Sequence, residues 1–154
     1  MEIADLVSLN AVIPKLKASS KKQALQELSS HAAKFVGHPA HQIFDVLRGR
    51  EQLGTTGIGQ GVAIPHGKIA GLDRIYGFFA RLAAPIDFES LDGQPVDLIF
   101  MLLAPETAGA DHLKALARVS RLLRDQRVCD KIRGSNNADA IYALLTESPA
   151  SHAA

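Results

Sequence analysis

An almost continuously apolar stretch, residues 96–104, constrains the fold of this chain more than any other feature of the sequence. It reads VDLIFMLLA, and its only charged side chain is Asp97. Such a run is typical of a central strand that is covered on both faces. A sheet built around it needs helices on both sides. The sequence therefore predicts an α/β fold, a three-layer α/β/α sandwich with a mixed central sheet of about four to five strands.

Local patterns predict the other elements. A short helical turn and an extended piece, residues 11–16, begin the chain, and Pro14 favours a sheet-edge position for that piece. Ser20 and Gln23 form a capping-box pattern before a helix that ends at Gly37. A second helix is predicted to end near Gly49, with Arg50 just beyond its last turn. Further predictions are strands over 62–65 and 75–82, a turn at Asp92-Gly93, and helices over 109–124, 128–133 and 138–147, the last capped by Asn137.

Length and charge limit the class of protein. The chain has 154 residues, 47% of them hydrophobic, and a formal net charge of +1. This size predicts one domain, residues 1–148, followed by a frayed tail, 149–154. Because the charges are balanced and spread along the chain, no electrostatic footprint for nucleic acid or anionic lipid is present. We expect the partners to be other proteins.

Cysteine usage and the absence of long apolar segments indicate the compartment. The single cysteine, Cys129, excludes an intrachain disulfide and a multi-cysteine metal site, and it suits a reducing environment. The first residues lack a leader pattern, and the longest apolar run, 98–104, is too short to cross a bilayer. We therefore expect a soluble, cytoplasmic protein without membrane insertion.

A glycine-rich stretch, residues 57–67, is the first candidate for chemistry. It reads GIGQGVAIPHG and contains four glycines before or beside the Pro65-His66 pair. Glycines let the backbone come close to a bound group, and a strand is a rigid place from which to present an imidazole. We predict that a flexible loop leads into a short strand that ends on His66.

Several kinds of site are poorly supported around His66. Metal binding would need further ligands, and His31, His38 and His41 lie near a helix junction without a carboxylate-and-cysteine pattern. Dinucleotide binding would need a strand before the glycines, whereas here the strand follows them. A nucleophilic triad is poorly supported because no Ser or Cys lies in a nucleophile-elbow motif, and Cys129 falls within a predicted helix. No metal and no organic cofactor is predicted.

The remaining chemistry is nucleophilic attack by the imidazole itself on a phosphoryl group. Free histidine titrates near pH 6.5, so an unprotonated ring nitrogen of His66 is available at neutral pH. Arg50, Thr55 and Thr56 could supply a guanidinium and hydroxyls to the phosphate. His112, in the first turn of the helix after the longest strand, has a pKa that the helix dipole would lower. Each residue also has a plainer alternative, as a turn residue, a helix-end cation or a boundary histidine.

The motif residues resemble the active-site pattern of the type-2 enzyme IIA domains of the bacterial phosphoenolpyruvate-dependent sugar phosphotransferase system. The pattern positions are filled by Glu51, Ile58, Gly59, Val62, Ala63, Ile64, Pro65, His66 and Gly67. The resemblance also runs through residues 20–22, 50–57 and 94–98 and the His112 helix, and so covers nearly the whole chain. Within the family, the chain is most similar to the nitrogen-regulatory branch, which consists of stand-alone domains. Only Thr55-Thr56 differs, where Ser-Thr is common.

The resemblance implies roles for these residues and a set of partners. His66 would be phosphorylated by an HPr-like carrier, itself phosphorylated by an enzyme I homologue. His112 would be the second active-site histidine, and Arg50 the phosphate-binding arginine. Regulated targets would include potassium transport systems and sensor kinases. Two alternatives remain: a fructose- or mannitol-type IIA component that passes phosphate to a IIB domain, and an interaction module that is never phosphorylated.

Overall fold

Six strands form one mixed sheet at the centre of the protein, whose computed structural model describes residues 1–147. The strands are β1 (Val12–Leu16), β2 (Gly57–Gly59), β3 (Val62–Ala63), β4 (His66–Ile69), β5 (Tyr76–Ile86) and β6 (Val96–Pro105). Their order is β1-β5-β6-β3-β2, and β4 pairs with β6 beyond the end of β3. The predicted α/β class with a mixed sheet is confirmed. The sheet has more strands than expected because β2 and β4 are too short to give a sequence signal.

Strand β6 is the buried centre of this sheet, as predicted. All its side chains are buried except Asp97 and Pro105, which are partly exposed. It runs antiparallel to β5 and parallel to β3 and β4. The prediction that β1 lies at an edge is also correct, since within residues 1–147 β1 pairs only with β5.

The helices cover both faces of the sheet. They are α1 (Ile3–Leu6), α2 (Lys21–Val36), α3 (Ala40–Gln52), α4 (Ala110–Leu123), α5 (Gln126–Arg133) and α6 (Ala138–Thr146). On one face, Phe78 of β5 packs edge-on against Phe35 of α2 with ring centroids 5.5 Å apart. On the other face, Arg81 of β5 donates to the carbonyl of Arg133 in α5 at 2.9 Å. Because these side chains point to opposite faces, the predicted three-layer arrangement is present.

The ends of α2 lie where the sequence predicts them. The Ser20 hydroxyl accepts the backbone N–H of Gln23 at 3.1 Å, which satisfies one free donor of the first turn. The Gln23 side chain accepts from the N–H of Ser19, one residue earlier than a standard capping box would place it. Gly37 ends the helix at φ 70°, a left-handed conformation that glycine adopts at low cost.

The predicted end of the second helix is wrong. Helix α3 continues through Gly49 to Gln52, so Arg50 lies inside its last turn and not beyond it. A glycine inside a helix costs about 1 kcal/mol relative to alanine. Burial of Ile43 and Leu47, both 0% exposed, offsets that cost by packing α3 on the protein core. Arg50 is therefore carried by a rigid element.

The predicted strand over 62–65 is also wrong in its extent. Strand β3 ends at Ala63, and His66 is the first residue of β4, not the last of the preceding strand. Pro65 has no N–H to continue the ladder, although its carbonyl accepts the N–H of Leu102 at 3.0 Å. His66 thus lies at a break between two short strands that both pair with β6.

The rest of the chain follows the predictions with small shifts. Strand β5 extends to Ile86, beyond the predicted end at 82. Gly93 adopts φ 72° in the predicted turn, and α4, α5 and α6 begin and end within about two residues of their predicted bounds. Asn137 caps α6 as expected. The predicted frayed tail lies outside the described residues. Among helices within residues 1–147, none has the length and apolar character needed to span a membrane.

Candidate active site

His66 begins β4 as a partly buried side chain whose ring is held by the backbone. Its Nδ1 lies 2.9 Å from the carbonyl oxygen of Ile64. A carbonyl can only accept, so Nδ1 of the neutral ring carries the proton. The lone pair is then on Nε2, which makes that nitrogen the nucleophilic atom of the ring.

Arg50 contacts this same nitrogen. Its Nε donates to Nε2 of His66 at 3.3 Å, and its Nη1 donates to the carbonyl of Gly54 at 2.9 Å. The second bond holds the guanidinium against the end of α3 and aims Nε at the ring. The structure therefore brings together Arg50 and His66, as the sequence predicts.

His112, in α4, is the third side chain of this site. It is buried in the first turn of α4, and its ring centroid lies 5.5 Å from that of His66, with the ring planes inclined at 54°. Its Nδ1 is buried and has no hydrogen-bond partner among residues 1–147. A buried polar atom without a partner is unfavourable, and a bound water or another group would remove that cost by supplying the missing hydrogen bond.

The environment favours the neutral form of both rings. Burial lowers the pKa of His66, and the positive charge of Arg50 lowers it further, while the Ile64 carbonyl and the Glu51 carboxylate partly oppose this. Burial also lowers the pKa of His112, with smaller effects from His66 and Lys68 in the same direction. Both shifts therefore favour unprotonated rings at neutral pH.

These pKa shifts predict that acid destabilises the fold. The unfolded chain binds protons on these two histidines near pH 6.5, whereas the folded chain binds them only at lower pH. Stability is then complete above about pH 6.5 and is lost as the pH falls toward the folded pKa, by about 1.4 kcal/mol for each pKa unit between the two states. Urea unfolding of the wild type and of a His66→Gln/His112→Gln double variant at several pH values tests this. If the free energy of unfolding falls with decreasing pH equally steeply in the two proteins, the prediction is contradicted.

Thr55 and Thr56 lie close to the site, but their hydroxyl hydrogens are already used in hydrogen bonds to residues outside the loop. The Thr55 hydroxyl donates to the carbonyl of Phe88 at 2.9 Å and accepts the N–H of Gly57 at 3.0 Å. The hydroxyl of the buried Thr56 donates to the carboxylate of Glu51. Phosphate binding by either hydroxyl stays a prediction, and it would require a rearranged hydrogen bond.

Lys21 and Glu51 are part of the family resemblance, but the sequence assigns neither of them a role or a contact. The Lys21 Nζ lies 3.0 Å from Glu51 Oε1, and the Glu51 side chain is 5% exposed. Glu51 does fill the first position of the active-site pattern, which is a signal of importance but says nothing about its contacts. Lys21 follows a helix cap, and that position alone suggests a solvated charge.

The other residues considered for chemistry lie elsewhere in the fold. His31 contacts the carbonyl of Asn10 at 3.0 Å, and its ring lies against Phe35 and Phe78. Cys129 is buried in α5, and burial raises the pKa of its thiol to about 11. Among residues 1–147, no group of three or more His, Cys, Asp or Glu side chains is arranged to hold a metal ion.

The fold and the site together define a three-layer α/β domain with a histidine pair beside an arginine at the break between two parallel strands. The sequence profile of one family, the EIIA 2 domain of the phosphoenolpyruvate-dependent sugar phosphotransferase system, matches residues 5–148. The chain belongs to this family.

Relatives within the family include both regulatory and sugar-specific proteins. The chain is 61% identical over 153 residues to the nitrogen regulatory protein of Bradyrhizobium diazoefficiens, covering 99% of this chain and 100% of that protein. The nitrogen regulatory protein IIA-Ntr of Neisseria meningitidis has a crystal structure that matches with a TM-score of 0.89 and 34% identity, covering 94% of this chain and 99% of that one. The chain is also 32% identical over 150 residues to the fructose-specific EIIABC component of Bacillus subtilis, covering 96% of this chain but 23% of that protein. The resemblance to the nitrogen-regulatory branch is confirmed.

Proposed function

We propose that this protein is a regulatory phosphocarrier that accepts a phosphoryl group on Nε2 of His66 from an HPr-like protein in the cytoplasm. The observation that carries the proposal is the orientation of the ring. Nδ1–H is held by the Ile64 carbonyl at 2.9 Å, and the lone pair of Nε2 faces Arg50 at 3.3 Å. A nucleophile fixed in one tautomer beside a cation is arranged for attack on a phosphoryl group.

The transfer exchanges one phosphorus–nitrogen bond for another. Nε2 of His66 attacks the phosphorus of the donor's phosphohistidine as the donor's P–N bond breaks, and the electron pair of that bond returns to the donor's ring. Nδ1 keeps its proton, so the phosphorylated ring of His66 becomes positively charged. The Ile64 carbonyl accepts a hydrogen bond from Nδ1–H and so stabilises that charge.

The neighbours of His66 have separate roles in this proposal. Once phosphorus occupies Nε2, the Nε–H of Arg50 loses its acceptor there and can donate to a phosphoryl oxygen instead. His112, whose ring is 5.5 Å away, contributes a second donor to the transferred group. Thr55 and Thr56 provide further hydroxyls if the hydrogen bonds that they donate to Phe88 and Glu51 rearrange. No metal or organic cofactor takes part, because phosphohistidine exchange can proceed by positioning alone.

We further propose a regulatory output in place of sugar uptake. The support is the 61% identity to a nitrogen regulatory protein along that protein's whole length. An enzyme I homologue would charge the HPr-like donor, and targets such as potassium transporters or sensor kinases would distinguish the two forms. One phosphate adds strong local charge, which can create or abolish a protein contact.

The similarity to a fructose-specific component supports the alternative, transfer to a IIB domain. In the third reading, an interaction module, His66 is never modified.

Phosphoryl transfer in vitro tests the proposal. The protein is incubated with phosphoenolpyruvate, an enzyme I homologue and the HPr-like carrier, and mass spectrometry then locates the modification. We expect one acid-labile phosphoryl group on His66. Addition of a fructose-type IIB domain should remove it slowly or not at all, whereas rapid removal would favour the sugar-specific alternative. An active carrier that leaves the protein unmodified would contradict the proposal and favour the interaction module.

A further inference from the structure

Next to the site, a buried carboxylate at the end of α3 joins the loop that follows this helix to the start of α2, which is distant in sequence. The Glu51 side chain is 5% exposed and accepts the backbone N–H of Thr56 at 2.9 Å as well as the Thr56 hydroxyl. Lys21, at the start of α2, lies 3.0 Å from the same carboxylate, and its Nζ lies 4.8 Å from the centroid of the Phe88 ring. We call Lys21, Glu51 and Thr56 the carboxylate clamp.

The clamp connects to the nucleophile through the backbone. The carbonyl of Thr56 accepts the N–H of Ile64 at 3.0 Å. The carbonyl of Ile64 in turn accepts the Nδ1–H of His66 at 2.9 Å. A continuous series of hydrogen bonds therefore runs from Glu51 through Thr56 and Ile64 to the ring nitrogen that must keep its proton.

The clamp also holds the arginine. Glu51 follows Arg50 in the last turn of α3. The backbone carbonyl of Glu51 accepts the N–H of Gly54 at 3.1 Å, and that of Arg50 accepts the N–H of Leu53 at 3.2 Å. The Arg50 guanidinium donates to the Gly54 carbonyl. By holding Thr56 close, Glu51 closes the short loop that contains Gly54. The same carboxylate thus fixes both partners of the Arg50–His66 contact.

We propose that Glu51 is a positioning residue, which acts through Thr56 and Ile64 to hold His66 in the Nδ1–H tautomer with Nε2 facing Arg50. This inference rests on the proposed function, since it concerns transfer to His66. In the structure of residues 1–147, Glu51 makes no hydrogen bond or ion pair with the His66 ring, although its negative charge raises the pKa of that ring. Lys21 serves the clamp by neutralising a carboxylate that would otherwise be costly to bury. Glu89, the other carboxylate near Lys21, is 3.6 Å from it and 76% exposed, so it is not part of the clamp.

Two substitutions distinguish the positioning of His66 by the clamp from the effect of the Glu51 charge. Glu51→Gln removes the charge and replaces one accepting oxygen by a donor. Thr56→Val keeps the charge and the backbone N–H but removes the hydroxyl. Thr56→Ser restores the hydroxyl, and Glu89→Gln removes an exposed charge from the same neighbourhood. The tautomer and the pKa of His66 are measured by ¹⁵N NMR of the imidazole, and transfer from the phosphorylated HPr-like carrier is measured by rapid quench.

The two clamp variants should both slow transfer, by about tenfold or more, and should both populate the Nε2–H tautomer of His66. Thr56→Ser should recover most of the transfer rate and of the Nδ1–H tautomer that Thr56→Val loses, whereas Glu89→Gln should match the wild type within about twofold. The proposal is overturned if folded Thr56→Val keeps a pure Nδ1–H tautomer and wild-type transfer, even where its melting temperature falls. If Glu51→Gln does not fold, Thr56→Val alone decides.

The NMR measurement keeps this test separate from that of the proposed function. A wild-type protein that the carriers never phosphorylate would refute the phosphocarrier role, while the tautomer of His66 in the variants would still report on the clamp. A wild type phosphorylated on His66, with clamp variants that behave like it, would refute only the inference about Glu51.

Discussion

Replacing His66 by glutamine is expected to abolish phosphorylation of this protein by the HPr-like carrier. Glutamine has a side-chain N–H that could still donate to the Ile64 carbonyl, so the loop should keep its conformation. It has no lone pair equivalent to that of Nε2, because an amide nitrogen is not nucleophilic. Labelling with radioactive phosphoenolpyruvate through both upstream carriers should fall to the background level.

A second histidine provides the matched control for this variant. His41 is exposed in the first turn of α3, and His41→Gln removes an imidazole without touching the site. We expect it to be labelled at the wild-type rate. Undiminished labelling of the His66→Gln protein would be incompatible with His66 as the acceptor. Mass spectrometry would then show whether His112, whose ring is 5.5 Å away, receives the group.

The parts of the fold that could be predicted are those that local sequence determines. Strand β6 follows from its unbroken apolar run, and the start of α2 follows from the cap at Ser20. The start of α6 likewise follows from the Asn137 cap. In each case one short segment contains the whole signal, so no knowledge of distant contacts is needed.

The two wrong boundaries depend on contacts that are not local. Gly49 is a common helix terminator, but burial of Ile43 and Leu47 on the core carries α3 past it. The break between β3 and β4 arises because β6 is long enough to pair with one short strand after another. Neither packing nor pairing with a distant strand can be read from the segment itself.

The same limit applies to the candidate site. His66 could be identified because the glycines, the proline and the histidine are consecutive and the whole pattern is filled. Its tautomer could not be predicted, because it depends on the Ile64 carbonyl, and that carbonyl is placed by contacts to Thr56 and Glu51. For the same reason, the sequence could not predict that the Thr56 hydroxyl donates to the Glu51 carboxylate and so is not free to bind phosphate.

Replacing Arg50 by alanine should slow phosphoryl transfer to His66 by about a hundredfold without preventing folding. The guanidinium is the cation that contacts Nε2, at 3.3 Å, and its contribution grows as negative charge collects on the transferring group. Arg50→Lys should fall between the wild type and the alanine variant, because an ammonium is a point charge without the planar fork. Single-turnover transfer from the phosphorylated carrier measures all three rates.

The pH dependence of the Arg50→Ala variant distinguishes an electrostatic role from a structural one. Since Arg50 lowers the pKa of His66, its removal should raise that pKa, and transfer should begin to fail at a higher pH than in the wild type. Arg48→Ala removes an exposed arginine, paired weakly with Asp45 at 3.9 Å on the same helix, and should leave both the rate and the pH profile unchanged. A slow Arg50→Ala variant with an unshifted pH profile would mean that the arginine acts only by holding Gly54 and the end of α3 in place.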